Sequence, residues 1–218
     1  MAQTSKRLRT TVTKTVSFRY QLFLPNKYGA DRKARWPLML FLHGAGERGK
    51  DIEMVKRHGP PKIVGRRKAF PFIVVSPQCD PDGWWEASEL TALLDDIVER
   101  YRADEDRVYV TGLSMGGYGS WALGGTDPDR FAAIVPICGG GMRVHARRIA
   151  QSGLPVWAFH GDADKAVGLE ESERMVNFIS SFGGEAKLTV YPGVGHDSWT
   201  ETYNNPEVYD WMLAHRKR

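Results

Sequence analysis

The first regular pattern along the chain has a period of two. From Thr10 to Leu24 the even positions read Val12, Lys14, Val16, Phe18, Tyr20, Leu22 and Leu24, which predicts an extended strand over 10–24, antiparallel and at a sheet edge. Pro25 and Asn26 break it. Further on, short continuous apolar runs recur at 38–42, 72–75, 108–110, 132–135, 156–159 and 188–191. Runs of this kind suit strands buried on both faces of a parallel sheet. Between several of them the period changes to that of a helix. Leu90, Leu93, Leu94, Ile97, Val98 and Tyr101 share one face at spacings of three and four, and further helices are predicted over 115–126, 169–181 and 206–215. Strands alternating with helices imply right-handed crossovers and a doubly wound, mostly parallel sheet flanked by helices. Without repeats, low-complexity segments or linkers, a single domain over 1–218 is expected, with residues 1–9 as a flexible N-terminus.

Composition narrows the class. The 218 residues are 42% hydrophobic and 26% charged, and no apolar run approaches the ~18 residues a membrane span requires, so no span is expected. The net charge is +4. The basic residues are scattered apart from Arg66-Arg67-Lys68, Arg147-Arg148 and Arg216-Lys217-Arg218, which read as solvated surface, so no nucleic-acid partner is expected. The basic start lacks a following apolar stretch, which favours a cytoplasmic protein over one secreted with its signal removed. Cys79 and Cys138 are too few for a disulfide framework. They fall after strands expected to lie three positions apart, roughly 14 Å at ~4.8 Å per step, beyond the reach of a disulfide. Both are expected as free thiols.

The chemistry gathers at strand ends, where open parallel sheets build their sites. The strand at 108–110 runs into Gly112-Leu113-Ser114-Met115-Gly116 and then a helix, the context of a nucleophile elbow. Such a turn lifts Ser114 into a strained, exposed position, and the flanking glycines remove side chains that would strike neighbouring backbone. A serine hydroxyl needs a base, and the base needs an acid to fix its tautomer. After the strand at 156–159 comes His160-Gly161-Asp162-Ala163-Asp164, and after the strand at 188–191 comes Pro192-Gly193-Val194-Gly195-His196. His196 is expected as the base. Asp164 is expected as the acid because it lies farther past its strand than Asp162, which reads as a turn former. A metal site from His160, Asp162 and Asp164 is disfavoured because a triad already accounts for the acid, so neither metal nor cofactor is expected. Two backbone N–H groups should meet the oxyanion: Met115, following the nucleophile, and Ala45 in the loop His43-Gly44-Ala45-Gly46-Glu47-Arg48-Gly49, with Gly46 as the alternative. His43 and His160 read as structural, and His58, His145 and His215 as surface residues.

Taken together, Leu42-His43-Gly44-Ala45-Gly46-Glu47-Arg48-Gly49, Ser76-Pro77-Gln78-Cys79, Gly112 to Gly119, His160 to Asp164 and Gly195-His196-Asp197-Ser198-Trp199 resemble the phospholipase/carboxylesterase and feruloyl-esterase-like branch of the α/β-hydrolases, which includes predicted peptidases. The resemblance runs from about Tyr20 to Leu213 and implies the α/β-hydrolase fold, with Ser114 as nucleophile, Asp164 as acid, His196 as base and Ala45 with Met115 as oxyanion donors. Lys165 departs from it, since such proteins commonly carry proline after the acid. The interval 138–155, where caps commonly enter, is short, so no cap domain is expected. Trp84, Trp85, Tyr118 and Trp199 are candidates for an aromatic wall against a small-molecule ester. The expected activity is hydrolysis of short-chain or aryl esters, acetyl or feruloyl among them, through an acyl-enzyme. A serine peptidase and a non-catalytic ligand receptor are the competing readings.

Overall fold

The computed structural model describes residues 3–66 and 69–217. Arg67 and Lys68 of one basic cluster, Arg218 of another, and Met1 and Ala2 of the expected flexible terminus lie outside the described residues. Seven strands form one sheet in the order β1-β3-β2-β4-β5-β6-β7. They are β1 (Tyr20–Phe23), β2 (Trp36–Leu42), β3 (Ile73–Pro77), β4 (Ala103–Leu113), β5 (Ala133–Ile137), β6 (Trp157–Gly161) and β7 (Lys187–Tyr191). Only β1 runs antiparallel, against β3 at the edge. The α-helices among the described residues are α1 (Gly59–Val64), α2 (Ala87–Arg100), α3 (Met115–Thr126), α4 (Arg143–Ser152) and α5 (Glu170–Ser181) between strands, and α6 (Trp199–Asn204) and α7 (Pro206–Leu213) after the last one.

The alternation of the pleat divides the core in two. On β2, Leu38, Leu40 and Leu42 face a cluster built with Leu90 and Leu94 of α2, Trp121 of α3, Ile149 of α4 and Met175 of α5. Met39 and Phe41 face the other side, with Tyr203 of α6 and Tyr209 and Met212 of α7. All five β2 side chains are fully buried. At roughly 1.5–3 kcal/mol for each large apolar side chain removed from water, this strand anchors both layers. The loops bearing the chemistry therefore leave one rigid edge.

Several expectations need correction. The strand predicted over 10–24 is ordered as a strand only at Tyr20–Phe23. Its partner β3 spans five residues, with Tyr20 paired to Pro77, so upstream residues have almost no ladder to join. The last apolar run, expected to be buried on both faces, forms the far edge strand β7, where Val190 is exposed and Lys187 lies over the Trp157 ring. His145, expected at the surface, is buried where α4 packs on α3, and a Cβ on Gly125 would stand 2.3 Å from its own. The interval 138–155 holds the crossover helix α4, which the apolar pattern does not mark, and the same is true of α1 and α6. Cys79 and Cys138 follow strands three positions apart, as expected, and both thiols are free and buried. Among the described residues no helix is long and apolar enough to cross a membrane.

Candidate active site

β4 ends at Leu113 and α3 begins at Met115, so Ser114 alone makes the turn. Its backbone sits at φ 54, ψ −117, in the positive-φ region that non-glycine residues avoid. The glycines make room for this turn. A Cβ on Gly116 would lie 1.9 Å from the Leu42 carbonyl oxygen, and one on Gly112 would lie 2.4 Å from that of Gly116. Both obstacles are backbone, which cannot swing aside. Gly116→Ala should therefore destabilise the protein by roughly 3 kcal/mol, the upper range for overpacking. Gly46→Ala, whose Cβ would meet nothing within 4 Å, should stay within about 0.5 kcal/mol of the parent in urea unfolding.

The loops after β6 and β7 converge on this serine. His196 Nε2 lies 3.0 Å from Ser114 Oγ, and His196 Nδ1 lies 2.7 Å from Asp164 Oδ2. The acid is held from its other side, where Asp164 Oδ1 accepts the N–H groups of Ala166 at 2.9 Å and Val167 at 3.0 Å. Burial opposes the carboxylate's charge. The hydrogen bonds from His196, Val167 and Ala166 outweigh it and hold the carboxyl below its ordinary range. Those two amides also close the acid loop around Lys165. Asp162 stands apart, accepting the Gly193 N–H at 2.7 Å and so tying the acid loop to the histidine loop.

His160 takes the structural hydrogen-bonding role expected of it, against the acid loop. Fully buried, its Nε2 lies 2.9 Å from the Val167 carbonyl and 3.3 Å from Asp164 Oδ2, while Nδ1 meets Ser172 Oγ at 2.8 Å. The acid is thus backed by a second imidazole. Cys138 lies behind the triad in a left-handed conformation, φ 40, its sulfur within 4.8 Å of donor atoms on Asp164 and His196. These three could form a metal cluster by distance alone. Burial pushes the Cys138 thiol up to about 12, so it is protonated at neutral pH, and His196 Nδ1 is engaged by Asp164.

The candidate oxyanion donors lie at the starts of two helices, where the first amides have no partner within the helix. Met115 opens α3, and Ala45 opens a 3-10 turn, Ala45–Glu47. Of the aromatic candidates, Trp84 is exposed and its ring lies 6.2 Å from that of Tyr118, while Trp199 meets His196 edge to face at 5.2 Å. Trp85 needs correction: it is buried, with its Nε1 donating to the His43 carbonyl at 3.1 Å, and it supports the loop from beneath. His58, expected as a plain surface residue, packs 5.4 Å from Trp199 and lies 3.6 Å from Glu47 Oε1.

A mostly parallel sheet flanked by helices, with a strained serine between β4 and α3 and the acid and histidine following in that order, defines an α/β-hydrolase. The chain belongs to the dienelactone hydrolase family, whose profile matches residues 79–214. It is similar to a thermostable esterase of known structure, at 33% identity and a TM-score of 0.78, over 90% of this chain and 59% of that one. It shares 40% identity over 58 residues with poly(3-hydroxyalkanoate) depolymerase C of Paucimonas lemoignei, covering 27% of this chain and 14% of that protein. It shares 25% identity over 144 residues with a bifunctional acetylxylan esterase/xylanase of Neocallimastix patriciarum, covering 63% of this chain and 20% of that protein. The chain spans less than two thirds of the length of each of these relatives.

Proposed function

We propose that this chain is a serine carboxylic ester hydrolase that works through an acyl-enzyme on short-chain or aryl esters. The observation that carries the reading is the single imidazole joining Ser114 Oγ at 3.0 Å to Asp164 Oδ2 at 2.7 Å. In this reading His196 Nε2 takes the Ser114 proton as Oγ attacks the ester carbonyl. The carbonyl electrons move onto oxygen, which the N–H groups of Met115 and Ala45 stabilise. His196 then gives its proton to the departing alcohol, leaving the acyl group on Ser114, and a water activated by His196 releases the acid. Trp199, which packs against His196, and the neighbouring pair Trp84 and Tyr118 are the candidate apolar surfaces for an aryl or short acyl group. Relatives bearing esterase names agree with this class, and the intact triad argues against a receptor that only binds.

The test uses p-nitrophenyl acetate, p-nitrophenyl butyrate and methyl ferulate, with matched anilides beside them. Ester hydrolysis with an initial burst and an intact-mass increase of one acyl group on the protein is the expected result. Turnover of the anilides at rates matching the esters would transfer the assignment to a peptidase. No turnover of any ester would overturn it.

A further inference from the structure

We propose that Glu47 and His43 are positioning residues that clamp the two peptide units around Gly44 and thereby aim the Ala45 N–H at the reacting oxygen. The proposal deepens the reading of the site given above and rests on its choice of Ala45 as a donor. Glu47 grips Gly44 twice. Its Oε2 accepts the Gly44 N–H at 3.1 Å, and its own N–H donates to the Gly44 carbonyl at 3.3 Å. This is the return contact by which a glutamate at the third position of a helix secures the residue before it. On the same carbonyl, His43 Nδ1 lies at 2.6 Å. The tautomer follows from the other ring nitrogen, since His43 Nε2 accepts the Cys79 N–H at 3.0 Å, which leaves Nδ1 to donate.

A trans peptide is planar, with its carbonyl and N–H pointing in opposite directions. Fixing the Gly44 carbonyl with two donors therefore fixes the direction of the Ala45 N–H. Ala45 itself is exposed, while His43, Gly44 and Glu47 beneath it are buried. The clamp also abuts the nucleophile's strand, since a Cβ on Gly44 would lie 2.8 Å from Cδ1 of Leu113, the residue before Ser114. Two further contacts keep Glu47 in place: Gln78 Nε2 donates to its carbonyl at 2.9 Å, and His58 Nε2 lies 3.6 Å from Oε1. A buried carboxylate with one peptide N–H and one imidazole at hand is a poor choice for surface solubility and a good one for holding a loop. Burial raises the Glu47 carboxyl and lowers the His43 imidazole to about 4, so His43 acts as a neutral donor at neutral pH.

The experiment compares the parent with Glu47→Ala and Glu47→Gln, the latter keeping an oxygen that can accept the Gly44 N–H. Two readouts are taken: steady-state kinetics on the best ester, and the 19F signal of the hemiketal formed between Ser114 and an aryl trifluoromethyl ketone, whose oxyanion occupies the same hole. Removing a donor outright commonly costs 10²–10³-fold, so a misaimed one should cost about 10–10²-fold in kcat with KM within about threefold. Hemiketal stability should fall by the same factor, while affinity for the product acid stays unchanged. Glu47→Gln should recover to within about fivefold of the parent. A folded Glu47→Ala with kcat and hemiketal stability within threefold of the parent would overturn the clamp, as would equal losses in Glu47→Gln. Should Glu47→Ala fail to fold, Glu47→Asp, which keeps the charge but is one methylene too short to reach Gly44, is read by the same two criteria. Because the hemiketal forms whatever the natural substrate is, a parent that makes it without hydrolysing esters would sink the ester reading and still report on the clamp.

Discussion

Ser114→Ala is expected to lower kcat for ester hydrolysis by about 10⁵- to 10⁶-fold while leaving the unfolding midpoint unchanged or slightly higher. The size of the loss follows from what the serine does. Without Oγ there is no covalent intermediate, and His196 Nε2, now lacking its partner at 3.0 Å, has only water to deprotonate. What survives is binding plus the oxyanion donors, which in enzymes of this kind retain roughly 10³–10⁴-fold over the uncatalysed reaction. Stability should not suffer, because alanine meets the same backbone demand as serine at φ 54 and the site is freed of a polar group held in a strained turn. The measurement is kcat on p-nitrophenyl acetate at matched protein folding, checked by thermal unfolding. A variant within a hundredfold of the parent and equally stable would remove Ser114 as the nucleophile.

The parts of this site that can be read from the sequence are those whose chemistry is tied to a strand end. Ser114, Asp164 and His196 each follow an apolar run that forms a strand, buried at β4 and β6 and half-exposed at the edge strand β7, and the elbow glycines mark places where an added Cβ would stand 1.9 and 2.4 Å from backbone oxygens. Trp84 and Trp85 show the limit. Adjacent in a loop and chemically identical, they part company: Trp85 is buried with its indole N–H on the His43 carbonyl beneath the loop, and Trp84 is exposed. Nothing local distinguishes them. His58 and His145 mislead for a related reason: their neighbours in sequence are polar, but their neighbours in space are Glu47 and Trp199 in one case and Gly125 in the other. The strand over 10–24 fails because a period of two specifies a face, not a partner, and β3 offers only five residues to pair with. Glu47 is visible in the sequence as a letter in a glycine-rich loop. Its grip on Gly44 is visible only once the loop has a shape.

Asp164→Asn should lower kcat about 10⁴-fold with little change in KM, and Asp162→Asn should stay within about fivefold of the parent. The contrast separates two aspartates that sit one residue apart around Ala163. In the asparagine variant at 164, the side-chain oxygen is held by the Ala166 and Val167 amides, since only an oxygen can accept them. The amide NH2 then faces His196 Nδ1, at the place where Oδ2 stood 2.7 Å away. A donor there forces Nδ1 to accept, the ring proton moves to Nε2, and the imidazole can no longer take the proton of Ser114. The geometry survives and the tautomer is wrong, so binding persists while turnover collapses. Asp162 plays a different part, since its Oδ1 accepts the Gly193 N–H at 2.7 Å and an asparagine oxygen can do the same. The pH profile carries an independent check. The native Asp164 carboxyl is held below its ordinary value by its three hydrogen bonds, so it is already ionised wherever the enzyme works, and the parent's pH–rate curve should show no inflection from it above about pH 4. Kinetics of both variants on one ester decide the matter. A collapse in Asp162→Asn with activity preserved in Asp164→Asn would move the acid two residues back, to a carboxylate that faces the histidine loop rather than the histidine.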